Sequence, residues 1–158
     1  MDALGYAREL IEHGEPVFVC KPARGADGKW DPAGGAGGYV TPRGWQTTPA
    51  ELATLDSFEP DDALAAVMGH AVDALDVDVQ HDGERARDQL VAAGVWPSTY
   101  GTARTPSGGL HELIAPLGTG SRDGLRPGLD LKGGRPDGAG GARLHLHRPN
   151  GQTVQDNR

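Results

Sequence analysis

The sequence predicts an α/β domain, and three observations carry that prediction. Helical and strand periodicities alternate along the first hundred residues. The strand-like runs are short and bounded by glycine, proline or aspartate. One apolar run, ALDVDV, places two carboxylates at strand spacing.

Residues 3 to 13, ALGYARELIEH, put Leu4, Ala7, Leu10 and Ile11 on one helical stripe, and Gly14 is a natural stop. Pro16 to Cys20, PVFVC, reads as a short buried strand. A Gly/Pro/Asp-rich loop from Lys21 to about Gly44 follows, long enough to mark a functional segment. Lys21 at its root could reach a phosphate or simply extend along the surface. Thr48, Pro49 and Glu51 have the order of an N-cap, a first-turn proline and a capping box, so a short helix is expected over PAELATLDSF, with Trp45 packed before it. Ala63 to Met68 and Val72 to Val79 predict two adjacent strands. Gly83 to Ala93 then predicts an amphipathic helix with Ala86, Leu90, Val91 and Ala93 inward and Gly94 at its end. Leu110 to Ile114 predicts a strand with His111 and Leu113 on one face, and LRPGLDLKGG a further strand carrying Asp130 and Lys132.

Chemistry concentrates in three of these stretches. Strand side chains alternate faces, so Asp76 and Asp78 project together, about 7 Å apart, while Val77 and Val79 pack on the other side. Such a pair suits a hard divalent cation that keeps positions open for water and phosphate oxygens; a solvated acidic strand face is the alternative. An EF-hand is excluded, because Gln80 stands where that loop needs Asp or Asn and His81 where it needs a glycine. Ser107, Gly108 and Gly109 could bring backbone N–H groups and a hydroxyl close to an anion, or form only a tight turn. His111 could serve the same anion or be a satisfied strand histidine. Asp130 adds a third strand carboxylate, with Lys132 two residues on and therefore on the same face.

The 158 residues fit one domain, and 25 glycines with 12 prolines predict many loops. A lone cysteine, Cys20, excludes an internal disulfide, and no apolar run is long enough for a signal peptide or membrane span, so a cytoplasmic location is expected. The net charge of −7 argues against a generic polycationic coat for nucleic acid. It is unevenly spread. Residues 1 to 100 hold seven basic and seventeen acidic side chains, the remainder eight and five, which would suit an acidic metal site facing a basic, glycine-rich half.

LDVDVQHDG, TPSGGLH and GLDLKGG, in this order and spacing, resemble the N-terminal domain of bifunctional DNA primase/polymerases, the prim-pol branch of the archaeo-eukaryotic primase superfamily found in phages and plasmids. The first helix, PVFVC and the Gly-Trp ahead of Thr-Pro-x-Glu are similar to it too, and the resemblance runs to about Gly141. It implies a primase-polymerase domain over residues 1–142, with an RRM-like catalytic sheet beside a smaller N-terminal αβ unit. It implies Asp76, Asp78 and Asp130 as a catalytic triad holding Mg²⁺ or Mn²⁺, and His111 as a contact to the phosphates of an incoming nucleoside triphosphate. Ser107, Gly108 and Gly109 would line that phosphate site, with Lys132 as a helper and Arg104 either a further aid or a surface arginine. The implied partners are a DNA template and primer, nucleoside triphosphates and a separate replicative helicase, with no membrane. Bound metal would acidify an attacking 3′-hydroxyl and stabilise the departing pyrophosphate.

After Gly141 the composition departs from this pattern. Residues 143–158, RLHLHRPNGQTVQDNR, carry few apolar side chains beyond a brief LHLH, so a poorly packed tail is expected, with the domain truncated at its C-terminus by a reading-frame shift. Two rival functions stay open at this level: a metal-dependent nuclease using the same acids, and a non-catalytic remnant or interaction module.

Overall fold

The computed structural model describes residues 2–105, 107–135, 141–147, 149 and 153–156. In chain order, α1 (Ala3–Glu12) is followed by β1 (Val17–Pro22), β2 (Tyr39–Val40), β3 (Ala63–Val67) and β4 (Asp73–Val77). Then come α2 (Gly83–Ala92), β5 (Thr99–Arg104), β6 (Leu110–Ile114), β7 (Arg122–Arg126), β8 (Leu129–Lys132), β9 (Arg143–His147) and β10 (Thr153–Asp156). The fold is α/β, as the alternating periodicities imply. A four-stranded sheet has the order β2-β1-β3-β9 and a six-stranded sheet the order β10-β5-β6-β4-β8-β7, with antiparallel pairing in both. Among the described residues no helix is long and apolar enough to cross a membrane.

The Asp2 carboxylate caps α1 by accepting the Gly5 N–H at 2.7 Å, and Gly14, at φ +90°, ends it. Its buried stripe, Tyr6, Ala7, Leu10 and Ile11, enters a core shared by both sheets. Val17, Val19, Leu64, Ala66, Leu144 and Leu146 come from the small sheet, and Ala74 and Leu113 from the large one. On the other face of the large sheet, Leu75, Val77, Ile114, Leu129 and Leu131 pack against Ala86 of α2.

Four sequence expectations need correction. The runs at 63–68 and 72–79 are not adjacent strands: β3 and β4 belong to different sheets. The chain turns a corner at Gly69 (φ +102°), where a Cβ would lie 2.3 Å from the Gly134 Cα, and the N–H groups of Ala71 and Val72 both go to the Glu15 carboxylate instead of a neighbouring strand. The expected helix at Pro49 is only a 3-10 turn, Leu52–Leu55. Glu51 is extended there, and the Thr54 hydroxyl bonds the carbonyls of Glu51 and Val17, pinning buried Leu55 on the small sheet. In α2, Ala86 is buried and Leu90 partly so, whereas Val91 and Ala93 are exposed, because the helix meets the sheet along a stripe narrower than its apolar pattern. The fourth is the tail. Residues 143–147 form β9 on the edge of β3, with Leu144 and Leu146 buried; two apolar side chains at strand spacing suffice, since the other face of the strand need not be apolar. Residues 153–156 pair with β5, and the remaining residues after 147, apart from 149, lie outside the described ones.

Candidate active site

Strand register places the site. β4 is flanked by β6 and β8, with Asp76 directly opposite His111 on one side and Asp130 on the other. Residues paired across antiparallel strands share a face. The two acids and the imidazole therefore stand in one row, and Lys132 joins them from two residues along β8. On the same face Ala74 and Leu113 are buried in the core between the sheets, so the polar row begins where that core ends.

The row is held by short contacts. His111 Nε2 lies 3.4 Å from Asp76 Oδ1. Lys132 Nζ lies 3.1 Å from Asp130 Oδ2, 3.4 Å from Asp123 Oδ1 and 3.9 Å from Asp76 Oδ2. The Gly124 N–H donates to Asp130 Oδ1 at 2.7 Å. Burial works against the charge of Asp130, but the Gly124 N–H and the Lys132 ammonium outweigh it and hold the carboxyl below the usual carboxylate range, with the Asp78 charge opposing them. Burial likewise works against charged Lys132, and Asp130, Asp76 and Asp123 more than compensate, keeping its ammonium above the ordinary lysine value.

Asp78 stands just past the strand instead of on it. Pairing of β4 stops at Val77, and Asp78 caps a 3-10 turn, Val79–His81, accepting the Gln80 N–H at 2.9 Å and His81 Nδ1 at 2.7 Å. The hydrogen bond from His81 and then that from Gln80 hold its carboxyl below the usual range. Its backbone is locked: Asp78 N–H donates to the Gly128 carbonyl, and the Asp78 carbonyl accepts the Gly83 N–H. Gly83 and Gly128 touch backbone to backbone, since a Cβ on Gly83 would meet the Gly128 oxygen at 2.2 Å.

The glycine segment closes the same end of the sheet. Thr105 N–H bonds the Gly109 carbonyl, Gly108 N–H bonds the Thr105 carbonyl, and the Thr105 and Ser107 hydroxyls are 3.0 Å apart. Gly108 has φ +90°, and a Cβ on Gly109 would sit 2.6 Å from the Val77 carbonyl oxygen. Both glycines are therefore required by a tight turn laid against the end of β4, directly before His111.

Arg104 pairs with Leu110, and Ala103 with His111, so register directs Arg104 to the face away from the acids. Lys21 is bonded to Asp62 at 2.6 Å and to the Ser57 carbonyl at 2.8 Å, a structural tie. Sequence reasoning missed Asp123, Gly124 and His81 as partners of the acids; Pro127-Gly128 is a turn signal, and the hairpin it makes sets the strand bearing Asp123 and Gly124 beside Asp130. It also missed the support behind the row. Glu112, buried between His111 and Leu113 in sequence, faces the other way and accepts from Arg87 Nε at 2.6 Å and Trp96 Nε1 at 2.8 Å, with the Arg87 guanidinium 5.5 Å from the Trp96 ring centre. This fastens α2 and the following segment to the back of the strand that carries His111.

The donor set at Asp76 and Asp130 is oxygen only, and it already gathers one cation, the Lys132 ammonium. That suits a hard divalent ion, which takes one or two carboxylates and completes its shell with water and substrate phosphates. Among the described residues no three His, Cys, Asp or Glu groups close around one metal position; the Asp78 carboxylate is engaged with His81 and Gln80.

Fold and site together define an α/β protein with an acidic row beside a glycine turn, at the edge of a core joining two antiparallel sheets. The family model for the bifunctional DNA primase/polymerase N-terminal domain matches residues 7–154, and the chain belongs to that family. The match runs through β9 and into β10, past the point where the sequence pattern alone breaks off. No curated protein sequence matches the chain.

Proposed function

We propose that this protein performs template-dependent nucleotidyl transfer, as a DNA primase/polymerase using nucleoside triphosphates and a divalent ion, Mg²⁺ or Mn²⁺, in phage- or plasmid-type replication with a replicative helicase as a partner. The observation that carries the proposal is the register of β4, which puts Asp130 and His111 on either side of Asp76. Asp76 and Asp130 would hold the ion, with Asp78 as the third carboxylate. Bound there, it would neutralise the triphosphate and acidify the attacking 3′-hydroxyl. His111, the Ser107 hydroxyl and the turn at Gly108 and Gly109 would bind and orient the phosphates, a role for donors whose positions the strand and turn already fix.

Primer extension on a DNA template with Mg²⁺ or Mn²⁺ tests the proposal. Asp76→Asn and Asp130→Asn each remove a charge at nearly constant volume, so both should fold as the wild type does, checked by circular dichroism. We expect a loss of at least about 100-fold in activity, the scale seen when a group stabilising transition-state charge is removed. Near-wild-type extension by either variant would overturn the assignment. Degradation of DNA without added triphosphate would replace it by the nuclease.

A further inference from the structure

Lys132 occupies an unusual place for a residue read as a phosphate helper. Its ammonium does not reach outward from the sheet; it sits among carboxylates contributed by three strands, Asp76 of β4, Asp123 of β7 and Asp130 of β8, at 3.9, 3.4 and 3.1 Å. Its side chain is only 26% exposed, and those of Asp76 and Asp130 are 27% and 34%. Asp123 is exposed, but the Asp76 and Asp130 charges, held at this depth on paired strands, repel unless a cation lies between them. A lysine is suited to a cation that must leave again, being a compact point charge on a flexible four-carbon stem, whereas the planar arginine fork would lock onto the acids.

We propose that Lys132 is an internal counter-ion that holds the acidic row together in the substrate-free protein and is exchanged for the divalent ion when metal and nucleotide arrive. The inference rests on the assignment of Asp76 and Asp130 as the metal-binding acids. Ammonium and metal compete for the same carboxylate oxygens. The metal binds weakly on its own, and the displaced ammonium becomes available to the triphosphate that accompanies it. Metal and nucleotide therefore bind cooperatively, each removing an obstacle to the other.

Calorimetric titration of the whole chain with Mn²⁺, in the absence of nucleotide, tests this on three proteins: wild type, Lys132→Met and Asp130→Asn. Removing the competitor should tighten Mn²⁺ binding at least fivefold in Lys132→Met, while Asp130→Asn should bind far more weakly than wild type. Unchanged or weaker binding in Lys132→Met, alongside loss in Asp130→Asn, would overturn the exchange and leave the metal assignment standing. Indifference of Mn²⁺ binding to Asp130→Asn would overturn both.

A second measurement needs no variant that might fail to fold. The chain has three lysines, Lys21, Lys29 and Lys132, so reductive ¹³C-dimethylation, which keeps the charge, yields a countable set of methyl resonances. The Lys132 resonance should shift saturably on Mg²⁺ titration, whereas that of Lys21, bonded to Asp62, should not. A Lys132 resonance that stays fixed while Mg²⁺ binds would show that the ammonium does not leave, and would overturn the proposal.

Discussion

Glu15 is a carboxylate with no exposed surface, and its position explains both a corner of the fold and a pH dependence. Its Oε2 accepts the N–H groups of Ala71 at 2.5 Å and Val72 at 3.0 Å, while Oε1 is buried without a hydrogen-bond partner among the described residues. Burial pushes its carboxyl from the ordinary 4.5 up to about 8, against the pull of the two amides, and the nearby Asp73 charge adds to the push. The folded protein therefore holds a proton that the unfolded chain releases near 4.5. Stability from this group is complete below that pH and is lost as pH rises through about 8. Glu15→Gln keeps an acceptor for both amides and cannot ionise, so we expect its thermal midpoint to fall less than that of the wild type between pH 5 and pH 9. Each pKa unit corresponds to about 1.4 kcal/mol, which makes the difference on the order of several kcal/mol at its ceiling. Asp73, also raised by burial, acts on Glu15 through its charge, so the difference between the two profiles carries Glu15 together with that coupling. Parallel pH profiles would show that Glu15 is not the titrating group. None of this is legible locally, because Glu15 follows a helix stop and its partners lie 56 and 57 residues away.

At the scale of elements, the strands bearing the site are legible because their chemistry repeats with period two, and the segments between them are not. Asp76, His111 and Asp130 fall on strands whose apolar neighbours announce them, and their meeting on one face follows once those strands pair. Asp78 was expected on the same strand. Its departure depends on Gly83, which opens α2, and Gly128, in the turn between β7 and β8, whose contact no periodicity reveals. Gly128→Ala should expose that contact. Its Cβ would meet the Gly83 nitrogen and the His81 oxygen, both at 2.4 Å, in a backbone already at φ +68°. Gly124→Ala is the control, with a similar φ of +67° and open space around the new methyl. The control should lose about 1 kcal/mol from conformation alone. Gly128→Ala should lose about 2–3 kcal/mol and move the Asp78 backbone, visible as amide shifts at Asp78 and Gly83. Equal losses in chemical denaturation would mean that the turn simply relaxes away and does not brace the end of β4.

For the molecule as a whole, the joint between the two sheets decides whether the acidic row has a firm base. Ala74 and Leu113 sit in the shared core on the strands that carry Asp76 and His111, and Leu144 and Leu146 reach the same core from β9. A reading of composition alone discounts β9, because three of its five residues are arginine or histidine and the chain around it is poor in apolar side chains. Burial depends on which face a side chain takes, not on the average of the segment, and two leucines at strand spacing are enough to seat the strand against β3. The expectation of a poorly packed tail fails over 143–147 for that reason. Leu146→Ala measures the strand's weight. The side chain is 1% exposed, so its removal leaves a cavity in the core between the sheets and should cost about 2–4 kcal/mol. Since that core joins α1 and both sheets, unfolding should remain a single transition at a lower denaturant midpoint, and the far-ultraviolet and tryptophan signals should shift together. An unchanged midpoint would mean that β9 lies on the protein without supporting it. Two separate transitions, with the signal of Trp96 behind the large sheet holding longer, would mean that the sheets fold independently and that the acidic row does not depend on the joint.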